Sequence, residues 1–108
     1  MNENTKPEEW IRQTTELTIK QLDQELPNPF SDNDADWEVL QAWLLKVIKH
    51  KLDYDMQGLL QALYRIDLKE SKVKEILTLA PPDEIPILLT EEILKRQWQK
   101  ILIRQKYS

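Results

Sequence analysis

Residues 37–48, WEVLQAWLLKVI, decide the fold. Their apolar side chains recur every three to four residues, which is the spacing of an α-helix that packs against a core. The main apolar stripe contains Trp37, Leu40, Leu44, Val47 and Ile48, and Trp43 widens it. Because a helix that is apolar over most of its circumference belongs at the centre of a bundle, we predict a central helix over residues 35–52.

Similar spacing predicts further helices on both sides of this segment. They span residues 6–26, 54–66, 68–79 and 91–106, and clusters of proline separate the first and the last from the rest. Between residues 83 and 106 the apolar face changes direction. Thr90 followed by Glu91 and Glu92 is typical of a helix start, because a hydroxyl cap and first-turn carboxylates stabilise the free backbone N–H groups. We therefore predict a break near residue 90.

Two helix starts carry capping boxes. Thr5 is followed by Glu8, and Asp67 is followed by Glu70, so each pair satisfies N–H groups that a helix leaves free. The fold class that follows is all-α, a compact bundle of about five helices. We expect residues 1–108 to form a single helical domain, with residues 1–5 as a disordered tail.

Composition disfavours β-hairpins and phosphate-binding loops and excludes sites that need cysteine. Glycine occurs once, at Gly58, whereas β-hairpins and phosphate-binding loops use it repeatedly. Cysteine is absent, so disulfides and thiolate metal sites are excluded. The first residues are polar and acidic, and no long apolar run follows them. We therefore expect neither a signal peptide nor a membrane partner, and a cytoplasmic location.

Two patterns resemble metal sites, and neither is complete. Residues 32–36, DNDAD, begin like a calcium loop, but Trp37 replaces the required glycine and Trp43 the closing glutamate. We interpret this run as a helix start in which Asp34 or a neighbour is the cap. His50 has no second histidine and lies near a helix end, where a cation interacts well with the dipole. We predict no catalytic, metal or cofactor-binding residues and a protein that is not an enzyme; catalysis by His50 with nearby carboxylates is the alternative.

Two other motifs bear on binding. Residues 28–30, NPF, match a short docking tripeptide, but we interpret them as a plug that fills the loop. The segment from Ala62 into the 68–79 helix resembles a helix-turn-helix that lacks its turn glycine. Glu70 and Glu75 would repel phosphate, whereas three lysines of the same segment would attract it. Nucleic acid is therefore disfavoured as a partner and is kept as the alternative, bound by the 68–79 and 91–106 helices.

The position of one apolar residue indicates a protein partner, whereas the uneven charge is explained more simply by acids at helix starts and bases at helix ends. Residues 1–54 carry a net charge of −5 and residues 55–108 a net charge of +1, with five basic and no acidic side chains in the last 14 residues. Ile103 falls on the polar face of the last helix, where burial within the domain would not place it. The predicted interaction surface comprises Ile103, Arg96, Lys100, Arg104 and Trp43. We expect a non-enzymatic protein–protein interaction or regulatory module, whose partner is another protein or a second copy in a homodimer.

The C-terminal half of the chain resembles small helical bacterial proteins of unknown function. Residues 63–67 (LYRID), 72–74 (KVK) and 92–100 (EILKRQWQK) carry this resemblance. It implies a bacterial helical domain, and it brings no assigned catalytic or binding residues with it.

Overall fold

All regular structure in the part of the chain that the structure describes is helical. This structure is a computed structural model, and it describes residues 6–30 and 34–107. The five helices within these residues are α1 (Glu8–Leu22), α2 (Trp37–Tyr54), α3 (Met56–Ile66), α4 (Glu70–Leu79) and α5 (Ile85–Tyr107). The predicted all-α bundle is therefore confirmed.

The last helix, α5, is continuous, so the predicted break near residue 90 is wrong. Thr90 does not cap a helix; its side-chain hydroxyl is buried and donates to the carbonyl of Pro86 at 2.7 Å. The buried residues of α5 keep one face throughout: Pro86, Leu89, Thr90, Ile93, Leu94, Gln97 and Ile101. Their spacing of three or four is that of a single helix. The sequence pattern predicts a break because Thr90 and Gln97 are polar and interrupt the apolar periodicity on the buried side.

The helix at the centre of the bundle is α5, and the prediction of α2 for that place is wrong. Helix α5 packs against each of the other four helices, whereas α2 packs mainly against α3 and α5. Three residues of α2, Leu40, Leu44 and Ile48, are fully buried. Its wider apolar circumference is not fully buried, because Val39 is 48% exposed and Trp43, which packs at the edge of the core, is only partly buried. The apolar stripe of α2 thus covers α5 from one side.

Threonines form much of the buried face of α1. Thr14, Thr15 and Thr18 are fully buried, and each hydroxyl donates to the backbone carbonyl four residues earlier at 2.7 or 2.8 Å. These bonds satisfy hydroxyls that would otherwise be buried at a cost. Helix α1 ends at Leu22, four residues before the predicted end, and the Asp23 carboxylate accepts from the N–H of Glu25.

Aspartates define the junctions between α2, α3 and α4. Asp36 caps α2 by accepting from the N–H of Val39, which agrees with a cap in the acidic run; Asp32 and Asn33 lie outside the described residues. Asp55 caps α3 in the same way through the N–H of Gly58. Asp67, expected to start the fourth helix, instead ends α3 in the left-handed conformation, with φ 68°. Aspartate tolerates this backbone region better than most residues, so it can close a helix as glycine does.

Glu8 has partners other than those of a capping box. Thr5, its expected partner, lies outside the described residues. The Glu8 carboxylate accepts from the Arg12 guanidinium at 3.0 Å and from the N–H of Ala35 at 3.2 Å. Glu8 therefore connects the start of α1 to the segment that leads into α2.

An aromatic cluster joins α1, α2 and α5. The ring centroid of Trp98 lies 5.9 Å from that of Trp10 and 5.3 Å from that of Trp37. Lys6 extends the cluster, with its Nζ 4.5 Å from the ring centroid of Trp37. Phe30 is buried in the core, which confirms that the NPF segment plugs its loop.

A basic groove between α4 and α5

A cavity of about 540 Å³ opens between α5, α4 and the turn that connects α3 to α4. We call it the basic groove. It is lined by Asp67, Leu68, Lys69, Lys72, Val73, Glu92, Lys95, Arg96 and Gln99. Leu68 and Val73 pack against the hydrophobic core and form the apolar part of this lining. Cavities of this size are typical of sites for small molecules or for a few side chains of a partner.

The groove concentrates positive charge on an acidic protein. Its lining has four basic and two acidic side chains, whereas the whole chain has a net charge of −4. Asp67 is already occupied, because its Oδ2 lies 3.1 Å from the Nη2 of Arg96. Within residues 6–30 and 34–107, none of the ion pairs shorter than 4.0 Å involves Lys69, Lys72 or Lys95. These three ammonium groups therefore stay available to an anion.

Local structure explains why these side chains meet. The left-handed Asp67 ends α3 abruptly, so that α4 begins three residues later and carries Lys72 in its first turn. Glu92, Arg96 and Gln99 follow one another at spacings of four and three, which places them on one side of α5. Arg96 pairs with Asp67 across the turn rather than with Glu92 on its own helix. That ion pair joins the two walls of the groove.

Beside the groove, two basic side chains reach the end of α1. Lys100 donates from Nζ to the Gln21 Oε1 at 3.0 Å, and Arg65 donates from Nε to the Gln21 carbonyl at 2.9 Å. Arg96 lies one turn before Lys100. We call Arg65, Arg96 and Lys100 the cation cluster. Burial lowers the pKa of the Lys100 ammonium, the positive charge of Arg96 lowers it further, and the negative charge of Asp67 opposes both.

The residues of the predicted interaction surface lie in different places. Arg96 lines the groove, Lys100 follows one turn later, and Ile103, which is 55% exposed, lies on the same side of α5. Arg104 instead donates to the Gln13 Oε1 on α1 at 3.4 Å. Trp43, on α2, packs against the hydrophobic core. The structure therefore brings three of the five together, and partner binding by any of them stays a prediction.

Sequence reasoning missed most of the groove. In the sequence, Lys69 and Lys72 are only charges on a would-be DNA-reading helix, and nothing marks Gln21 or Gln97, which lie beside the groove, as part of a site. The periodicity of each helix gave no signal that α4 lies along α5. The local signal in the sequence is that the basic residues Lys95 and Arg96 are adjacent and that no acidic residue follows Glu92.

The other candidate sites offer fewer groups that could bind a ligand or take part in catalysis. The ring of His50 is exposed and lies 4.8 Å from that of Tyr54. Among residues 6–30 and 34–107, no three His, Cys, Asp or Glu side chains are grouped so that they could hold a metal ion. A second cavity, of about 410 Å³, has a mainly apolar lining with one lysine and one aspartate. No helix in the described part of the chain has the length and apolarity needed to cross a bilayer.

Comparison with known proteins finds no matching family model, no matching curated protein and no matching solved structure. The function is therefore inferred from the residues of the groove.

Proposed function

We propose that this protein is a non-enzymatic interaction module that binds an acidic segment of a partner protein in the basic groove. The observation that carries the proposal is the charge of the lining, four basic against two acidic side chains on a chain of net charge −4. An acidic segment would be attracted by the groove and repelled by much of the remaining surface. Such complementarity favours specificity and fast association more than raw affinity.

The lining suits a peptide better than a nucleic acid. Leu68 and Val73 offer apolar contact between the lysines, which side chains of a peptide would use. Asp67 and Glu92 lie in the groove itself, and Glu70 and Glu75 are exposed on α4. A nucleic-acid duplex carries its phosphates at fixed spacings and would meet these carboxylates, whereas a peptide can place uncharged side chains against them. A DNA duplex, bound by α4 and α5, is therefore the competing ligand in the test.

The test is fluorescence anisotropy with a labelled poly-glutamate peptide at low ionic strength. The groove variant carries Lys69→Gln, Lys72→Gln and Lys95→Gln, and the control variant carries Lys20→Gln, Lys46→Gln and Lys106→Gln at exposed positions outside the groove. Both lose three positive charges, so the change in net charge is matched. We expect the groove variant to bind about tenfold more weakly and the control to change by less than about twofold, since each exposed ionic contact contributes up to about 1 kcal/mol.

Three results would argue against the proposal. Failure of the wild-type protein to bind the peptide at low ionic strength would rule out the proposal. Equal weakening in both variants would mean that net charge alone attracts the peptide. A labelled DNA duplex that binds more tightly than the peptide, with the same dependence on Lys69, Lys72 and Lys95, would replace the proposal with nucleic-acid binding.

Self-association through the end of α5 is the second candidate. Ile103 is 55% exposed, and Leu102 and Tyr107 are also exposed there. Ile103 and Tyr107 are four residues apart and lie on one side of α5, and contiguous exposed apolar surface is typical of a contact between proteins. Light scattering over a concentration series tests it, with Ile103→Lys as the variant expected to abolish any dimer. A monomer at all concentrations would exclude the homodimer.

A further inference from the structure

The cation cluster is held in place largely by uncharged oxygen atoms. Arg65 donates to the backbone carbonyls of Gln21 and Leu22, at 2.9 and 3.5 Å, and Lys100 donates to the Gln21 side-chain oxygen. Neutral acceptors fix the position of a cation and leave its charge uncancelled. Of the cluster, only Arg96 forms an ion pair with a carboxylate among the described residues, and that carboxylate, Asp67, is 80% exposed. Among the described residues, the three positive charges of the cluster therefore have one exposed carboxylate, that of Asp67, as an ion-pair partner.

A buried amide contributes to the position of Lys100. Gln97 is fully buried on α5 and donates from Nε2 to the same Gln21 Oε1, at 2.9 Å. Because an ammonium group only donates hydrogen bonds, Gln21 must turn its oxygen toward Lys100. Gln97 must then offer its Nε2 to that oxygen. Among the described residues, the Oε1 of Gln97 is left buried without a hydrogen-bond partner.

This arrangement is unfavourable in the free protein. A buried acceptor without a partner destabilises the fold, and two like charges one turn apart on α5 repel each other. Burial and the charge of Arg96 both disfavour the ammonium form of Lys100, as the lowered pKa of that group indicates. Groups kept under such strain are typical of functional sites, where a ligand relieves the cost. An anion bound between Arg96 and Lys100 would offset the repulsion between these two charges and favour the ammonium form of Lys100, although it could not donate to the Gln97 oxygen.

We propose that Arg65, Arg96 and Lys100 form a subsite for a phosphate group carried by the acidic segment, so that the module binds a phosphorylated partner more tightly than an unphosphorylated one. This inference rests on the proposed function. A phosphoserine or phosphothreonine carries a charge of about −1.5 to −2 and three strongly accepting oxygens, whereas a glutamate carries −1 and two. Two guanidinium groups and one ammonium group together match the phosphate better, because the planar guanidinium donates two parallel hydrogen bonds.

The test compares three labelled peptides that are rich in glutamate and differ only at the central residue, which is serine, glutamate or phosphoserine. We expect wild-type protein to bind the phosphoserine peptide about tenfold more tightly than the glutamate peptide. Lys100→Met should abolish most of this preference and change the affinity for the glutamate peptide by less than about threefold. Lys100→Arg should restore the preference in part. Lys46→Met, at an exposed position on α2, is the matched control and should keep it.

The outcomes separate this inference from the proposed function. Equal affinity for the glutamate and phosphoserine peptides would overturn the phosphate subsite and leave the acidic-segment proposal intact. Absence of binding by all three peptides would overturn both. If Lys46→Met reduced the preference for the phosphoserine peptide as much as Lys100→Met does, the preference would result from net charge. Displacement of the phosphoserine peptide by an equimolar amount of inorganic phosphate would contradict recognition of a peptide-borne group. Circular dichroism checks that each variant is folded.

Discussion

Polar side chains on the buried faces of α1 and α5 determine much of how the core of this molecule is packed and hydrogen-bonded. Thr90 and Gln97 lie on the buried side of α5, and Thr14, Thr15 and Thr18 on that of α1. The threonines satisfy their own hydroxyls within the helix, so they cost little to bury. Gln97 has no such local solution, because its long amide reaches beyond its own helix to Gln21.

Replacing Gln97 tests this difference. Gln97→Leu removes the buried oxygen that has no partner, while the Gln21 Oε1 keeps its hydrogen bond from Lys100. We expect the free energy of unfolding to rise by about 1 kcal/mol, because a lost unsatisfied acceptor outweighs one lost neutral hydrogen bond. Urea denaturation followed by tryptophan fluorescence measures it.

Gln105→Leu is the control, since the Gln105 Nε2 donates to Gln13 in a partly buried site. It should give no such gain. Destabilisation of Gln97→Leu by more than about 1 kcal/mol would mean that the Gln97 oxygen has a partner in solution.

At the scale of elements, the periodicity of the sequence predicts where most helices lie but not which face is buried. Helix α3 begins and ends within two residues of its predicted bounds. Spacing alone would bury Leu60 and Tyr64 with Leu63, yet both are exposed, because the buried stripe is Leu59, Ala62, Leu63 and Ile66. The sequence does not show whether a neighbouring helix covers an aromatic or aliphatic residue at the edge of an apolar stripe. For α5 the sequence also predicts a break that does not exist, because polar residues occupy buried positions.

A proline at Glu91 distinguishes one helix from two. In a continuous α5, Glu91→Pro removes a helical hydrogen bond and clashes with the preceding turn, so we expect it to lower the free energy of unfolding by about 3 kcal/mol or more. If a helix started at Glu91, proline would sit in its first position and be tolerated. Glu91 is exposed, so packing does not confuse the comparison. Thermal or urea denaturation measures the change, and Glu91→Ala, the control, should alter stability by less than about 0.5 kcal/mol. A proline variant as stable as the alanine variant would restore the break.

At the scale of the whole molecule, contacts between distant segments place the site. The basic character of the last helix is visible in the sequence, but the groove exists only because α4 lies along α5 and the α3–α4 turn closes one end. Asp67 and Lys72 are near each other in the chain, but Arg96 is 29 residues beyond Asp67, and no local pattern relates it to them. An ion pair gives a similar long-range link on another side, where the Asp23 Oδ2 at the end of α1 lies 2.7 Å from the Lys51 Nζ on α2.

The ion pair between Asp23 and Lys51 predicts that the stability of the fold depends on pH. The hydrogen bond from Lys51, with a second from the N–H of Glu25, holds the pKa of Asp23 below its ordinary value. A lowered folded-state pKa means that the carboxylate stabilises the fold above the unfolded-state pKa, and that this contribution is lost as the pH falls through the folded-state pKa. We expect Asp23→Asn to be less stable than wild type by up to about 1 kcal/mol at neutral pH. The difference should vanish in acid, below the folded-state pKa of Asp23.

Urea denaturation at a series of pH values measures this difference, with Glu16→Gln, exposed on α1, as the control. A difference that stays constant from neutral pH into acid would show that the asparagine acts by another route.

The most direct measurement of the central claim, that an acidic segment binds between α4 and α5, is an NMR titration of the isotopically labelled protein with poly-glutamate peptide. Backbone amide shifts should concentrate in residues 67–73 and 92–100, and they should weaken as salt is added because the contacts are ionic. Shifts that concentrate instead around Leu52 and Met56 at the second cavity, or that spread evenly over all five helices, would contradict it.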